Sequence, residues 1–286
     1  MYVISSRPSR IDKGWIVLQS GNGQPPVQTP AIQPNYLPDE MVKTLSNPLL
    51  ILIHGYANRE PAAFAQYWKM IGTSDQPGLF YQSGFTGSIV GYDWPSFEGT
   101  SPTMLGGYAT DRNNALNVGA SMLASFLDQL TTALPKGVQI NLMAHSMGNL
   151  VMCQALSLNP SLAERLDNII SFAADVPYGE LERPEMKTAA DALAGKWFVY
   201  WAQADFVLMT ASNYANMLVA DEQWGDQRLG QAGAARHELD KHQSRAAGVG
   251  CATGRATRHF VQQRFRRMAI ERRYSLFVLD EYSIFG

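Results

Sequence analysis

Leu49-Leu50-Ile51-Leu52-Ile53 is the stretch that most narrows what this chain can become. Five apolar residues in a row, with no polar alternate position, suit a strand buried on both faces. Such strands belong to parallel sheets covered by helices on either side. Further strands are read at Ser88-Ile89-Val90-Gly91-Tyr92-Asp93-Trp94, at the alternating Val138, Ile140 and Leu142, at 169–174 and at 197–202. Helical spacing falls between them. Asn58 is placed to cap a helix in which Phe64, Tyr67, Trp68 and Ile71 share a face, with Pro61 in its first turn. Leu116, Ala120, Leu123, Leu127, Leu130 and Leu134 mark a second helix over about 111–134, ended by Pro135-Lys136-Gly137. Helices are also expected from 148 to Asn159-Pro160, over about 184–193 and over 206–218. Strands alternating with helices imply an α/β fold, a three-layer α/β/α sandwich around a mainly parallel, doubly wound sheet.

Residues 1–18 suit one or two antiparallel edge strands. Pro25, Pro26, Pro30, Pro34, Pro38 and Pro48 predict an extended surface excursion without regular structure over 21–48. Residues 95–110, rich in Gly, Ser, Thr and Pro, read as a long loop, and 221–257 as mostly loop. A helix over 258–273 and a last strand or packed tail at 275–285 complete the chain, expected to form one domain over 1–286.

Hydrophobic content of 46% and charged content of 17% provide for a sizeable core. A formal charge of -2 offers no global attraction to nucleic acid or anionic membranes. Cys153 and Cys251 make neither a disulfide framework nor a ligand cluster. No apolar run approaches the ~20 residues that span a bilayer, and Met1–Arg7 lacks the pattern of a signal peptide, so a cytoplasmic protein is expected.

The chemistry centres on Ala144-His145-Ser146-Met147-Gly148, between a strand and a helix. Strand, small residue, x, Ser, x, Gly, helix is the layout of a nucleophile elbow. The turn is so tight that residues two before and two after the serine must be small. It lifts the hydroxyl clear of the backbone and leaves the Met147 N–H to donate to a developing oxyanion. A serine needs a base, usually a histidine oriented by a carboxylate. Reactive groups in open α/β sheets gather beyond the carboxyl ends of strands, where Asp175 and Asp205 both fall. His237, His242 and His259 follow and are the candidate bases. His54 is read as ordering a loop whose N–H at Tyr56 or Ala57 is the second oxyanion donor, and His145 as packing. Asp93 is read as a cap on loop amides and Trp94 as a pocket wall. His237 and His242 are five apart, about 140° around a helix, so a zinc site is rejected. No phosphate-binding or dinucleotide motif is present, and no cofactor is expected. Seven arginines between Arg255 and Arg273 are read as a solvated helix face, with an anionic or partner site as the alternative.

Six blocks together resemble the α/β-hydrolase superfamily, and within it a bacterial group of esterase/lipase-like proteins. They are Ile53-His54-Gly55-Tyr56, Asp93-Trp94-Pro95-Ser96, Ala144–Asn149, Ala173-Ala174-Asp175-Val176, Ala204-Asp205 and Arg228-Leu229-Gly230. The resemblance implies Ser146 as nucleophile and Asp205 as the acid. It implies a base in a Gly-His-aromatic context, which His259-Phe260 matches except that Arg258 replaces the glycine. The implied activity is hydrolysis of a small-molecule ester with an apolar acyl or alcohol group, through an acyl-serine. The rivals are an acyltransferase or thioesterase on the same residues, and a non-catalytic binding protein on the same fold.

Overall fold

The computed structural model describes residues 1–26, 34–72, 75–97, 104–201 and 227–232, with Leu208, Ser212 and Asn216. Seven strands form one sheet: β1 (Tyr2–Ser5), β2 (Ile16–Gln19), β3 (Leu49–Ile53), β4 (Ser88–Asp93), β5 (Ile140–His145), β6 (Asn168–Phe172) and β7 (Lys196–Tyr200). Their order is β2-β1-β4-β3-β5-β6-β7, and every pairing is parallel except β1 with β2. The expected antiparallel pair is there, but of its two strands β2 alone lies at the edge, because β1 also pairs in parallel with β4.

β3 shows why the sheet needs two covers. Leu49, Ile51 and Ile53 join a cluster with Leu123, Phe126 and Leu127 of α5 (Ala120–Ala133) and Val151 and Leu156 of α6 (Gly148–Leu158). Leu50 and Leu52 join a second cluster with Phe64, Tyr67 and Ile71 of α2 (Glu60–Ile71) and Phe80 of α3 (Leu79–Gln82). Full burial of each such side chain is worth about 1.5–3 kcal/mol, so one strand anchors both layers. A further helix, α7 (Pro184–Ala192), buries Met186 and Ala189.

Three local expectations change. The Pro-rich segment is not wholly irregular: α1 (Asp39–Thr44) forms there and buries Met41. Pro38 stands at its N-cap, where a missing N–H costs nothing, and no proline interrupts the six residues that follow. The predicted 95–110 loop is helical from its end, because α4 (Met104–Asn114) starts seven residues early and runs through a π-helical turn, Ala115–Gly119, into α5. Gly107 lets α4 approach the Tyr56 hydroxyl, which an added Cβ would meet at 3.1 Å. The π turn faces β4: the Tyr92 hydroxyl donates to Gly119 O at 2.7 Å and Asn114 Nδ2 to Pro95 O at 2.9 Å. Finally, Arg59 and not Asn58 is the N-cap of α2, since Asn58 bonds elsewhere, as described below.

Candidate active site

β5 ends against α6 in a turn that puts Ser146 in the left-handed region, with φ of +50°. A non-glycine residue there costs about 1–3 kcal/mol and persists only where its surroundings hold it. They do. Ser146 N–H donates to Phe172 O at 3.0 Å. Ser146 O accepts from Asn149 N–H at 3.0 Å, Asn149 Nδ2 at 3.0 Å and Asp175 N–H at 3.2 Å. The small residues of the motif now have visible causes. A Cβ on Gly148 would lie 2.4 Å from His54 O, and one on Gly55 would lie 2.9 Å from the Ser146 Cβ. The loop after β3 and the turn after β5 therefore touch through two glycines. Met147 is the N-cap of α6, and its N–H has no acceptor among the described residues. His145 is half-buried against Phe172, ring centres 6.0 Å apart.

The β3 loop rests on a buried charged cluster. His54 stacks on Trp94 at 5.4 Å, and Trp94 Nε1 donates to His54 O at 2.8 Å. His54 Nε2 lies 3.1 Å from Asp93 Oδ1, and its Nδ1–H donates to Gly55 O at 2.9 Å. Asp93 does not cap loop amides, as the sequence suggested. Its carboxylate goes to Arg7 Nε, at 2.8 and 2.9 Å, to Ser5 Oγ and to His54. Trp94 is fully buried against His54. His54, with both ring nitrogens engaged inside the protein, is not placed to serve Ser146 as a base.

Loop amides are held by Asp111 of α4, whose place near a helix start in the sequence gives no sign of this role. Its carboxylate accepts from Phe97 N–H at 2.6 Å, Ser96 Oγ at 2.9 Å and, at 3.4 Å, Ala57 N–H. Burial pushes the Asp111 carboxyl above its ordinary value of 3.8, while these same donors pull it down. A carboxyl with a raised folded-state pKa binds its proton more tightly folded than unfolded. Its contribution is therefore most favourable below 3.8 and declines as pH rises through the folded value, then levels. Asp111→Asn should remove that decline. Urea midpoints taken from about pH 3 to about pH 7 should show the variant gaining on the wild type across the window. A stability difference independent of pH would count against this account.

Beyond β6, the Ala173–Val176 and Arg228–Gly230 blocks of the sequence meet. Gly230 N–H donates to Ala174 O at 2.9 Å, Leu229 N–H to Val176 O at 2.9 Å, and a Cβ on Gly230 would lie 2.2 Å from Ala174 N. The contact seats a buried ion pair, Arg228 Nε to Asp175 Oδ1 at 3.3 Å. Tyr108 donates to the other oxygen at 2.9 Å and Ser212 to the first, while burial, then the Asp175 charge, push the Tyr108 hydroxyl well above its usual pKa. Asp175 is thereby committed to Arg228, Tyr108 and Ser212.

A family model described as an alpha/beta hydrolase of unknown function (DUF900) matches residues 32–256. The chain belongs to this alpha/beta-hydrolase family. No curated protein and no solved structure matches the chain. The matched span of the hydrolase includes Ser146, Tyr56, Asp205, His237 and His242; it excludes Arg7 and ends three residues before His259. The structure brings Ser146, Met147 and the Gly55-Tyr56 turn to one end of the sheet. Asp205, His237, His242, His259 and the C-terminal arginines lie outside the described residues. Among the described residues no three His, Cys, Asp or Glu side chains gather as a metal site, and no helix is long and apolar enough to cross a membrane.

Proposed function

We propose that this alpha/beta hydrolase is a serine hydrolase of carboxylesterase or lipase type. The single observation that carries the reading is Ser146 held at φ +50° between β5 and α6. A serine with only a packing role has no need of that conformation, whereas a nucleophile presented to a substrate does. In the proposed reaction Ser146 Oγ attacks an ester carbonyl as His259 takes its proton. Asp205 orients the imidazole and stabilises its charged form. The tetrahedral oxyanion sits on the N–H groups of Met147 and Tyr56. Tyr56 is preferred to Ala57 because the Ala57 N–H is directed to Asp111. His259 then protonates the leaving alcohol, and water, deprotonated by the same imidazole, releases the acid and regenerates Ser146. No metal or cofactor enters this reaction. The reading takes the chain as one hydrolase domain acting in the cytoplasm on an ester with an apolar acyl or alcohol group.

Purified protein treated with a fluorophosphonate and mapped by peptide mass should carry the adduct on Ser146 alone, and an His259→Gln variant should lose it. Loss in His242→Gln or His237→Gln, with labelling kept in His259→Gln, would move the base. No adduct on folded protein would overturn the hydrolase reading in favour of a binding protein.

A further inference from the structure

Arg7 lies outside the span matched to the family, yet its side chain ends beneath the loop that carries Tyr56. The pairing of β1 with β4 sets Ser5 opposite Asp93, which delivers the residues after β1 to the end of the sheet where His54 and Ser146 lie. There the guanidinium, 1% exposed, spends its donors on two loops at once. Nη2 donates to Asn58 O at 2.5 Å, in the loop after β3, and Nη1 to Ser96 O at 2.6 Å, in the loop after β4. Nε meets both oxygens of Asp93, whose Oδ1 is also 3.1 Å from His54 Nε2.

These bonds converge on one peptide plane. Gly55 O accepts from His54 Nδ1 at 2.9 Å and from Asn58 Nδ2 at 3.2 Å. The Gly55 C=O and the Tyr56 N–H belong to the same planar trans peptide and point in opposite directions. Fixing the carbonyl therefore aims the N–H. Arg7 holds both donors, His54 through Asp93 and Asn58 through its own carbonyl. A buried ion pair is weak evidence of stabilisation, since apolar residues fill such space at less desolvation cost. What a guanidinium adds is a rigid planar fork that holds a carboxylate and two carbonyls in fixed register, which an ammonium does not reproduce.

We propose that Arg7 is a positioning residue that aims the Tyr56 N–H through the Asp93–His54 and Asn58 arms. The proposal rests on the hydrolase reading for its catalytic consequence, but the hold on the loop is measurable without catalysis. In the full chain carrying Arg7→Lys, hydrogen exchange should accelerate at least about tenfold at the amides of His54, Ala57 and Asn58, which are bonded to Tyr67, Asp111 and Ser96 side chains. Amides of β5 and α6 should keep their protection. The limiting rate of fluorophosphonate labelling should fall about 10- to 100-fold, with the half-saturating concentration unchanged. Unreactive wild-type protein would remove the hydrolase reading, and the exchange data would still decide the role of Arg7. Unchanged loop exchange in a folded variant, or acceleration spread evenly over the sheet, would overturn the proposal. If Arg7→Lys does not fold, Asp93→Asn is held to the same criteria, and failure of both to fold would make Arg7 a scaffold residue and overturn it.

Discussion

Ser146→Ala is expected to reduce turnover of a p-nitrophenyl ester by roughly 10³- to 10⁶-fold while leaving the protein folded. The size follows from the chemistry: nucleophile and base act as a unit, and loss of either removes nearly all the acceleration except what binding and the oxyanion donors supply. The fold should tolerate the change, because the bonds that hold this residue run through its backbone, to Phe172 O and from Asn149 and Asp175. A companion variant separates the strain from the chemistry. Ser146→Gly also lacks the hydroxyl, but glycine adopts φ of +50° without penalty. It should be equally inactive and more stable than the wild type by up to about 1 kcal/mol, a rise of roughly 2–3 °C in Tm. Wild-type turnover in Ser146→Ala would sink the proposed mechanism. A Ser146→Gly protein less stable than Ser146→Ala would show that the turn stores no strain.

The largest stability effect is expected at Arg228→Met. Arg228 and Asp175 are both buried, at 1% and 5% exposure. Methionine fills most of the volume but leaves the Asp175 carboxylate, among the described residues, with the hydroxyls of Tyr108 and Ser212. Breaking such a pair on one side costs about 3–5 kcal/mol, because a charge stays buried without its counterion. Urea unfolding should show the loss as a lowered midpoint with an unaltered slope. Adding Asp175→Asn to Arg228→Met should recover a large part of it, since the remaining partner is then neutral and still hydrogen-bonded. A cost below about 1 kcal/mol for Arg228→Met would mean that water reaches the site and that the pair is not a clasp between the two segments.

Parts of this site were legible in the sequence for a definite reason. Ser146, Gly148, Ala144 and the run Leu49–Ile53 announce themselves because their constraints act within a few residues: a tight turn excludes bulk, and a two-faced strand excludes polar residues. The Ala173–Val176 and Arg228–Gly230 blocks were recognised through resemblance, but their contact was not, because Gly230 is needed only where another backbone passes 2.2 Å from its missing Cβ. Arg7 gave no signal at all. It stands 86 positions from Asp93, and nothing in Ser6-Arg7-Pro8 marks it as different from a surface arginine. Asp111 looked like an ordinary first-turn acid, and the start of α4 was hidden by Gly106-Gly107, whose low helix propensity signals no helix.

The sequence by itself determined the class of sheet, the place of the tight turn after β5 and the identity of the residue at its crest. Those follow from steric rules between near neighbours, and such rules are written in composition and spacing. The tertiary structure alone decided which charges go underground and what they hold: Arg7 and Asp93 beneath His54, Asp111 against the loop amides, and Arg228 with Asp175. The physical reason is that a buried charge survives only where partners distant in sequence satisfy it, and the pairing of strands is what brings those partners together.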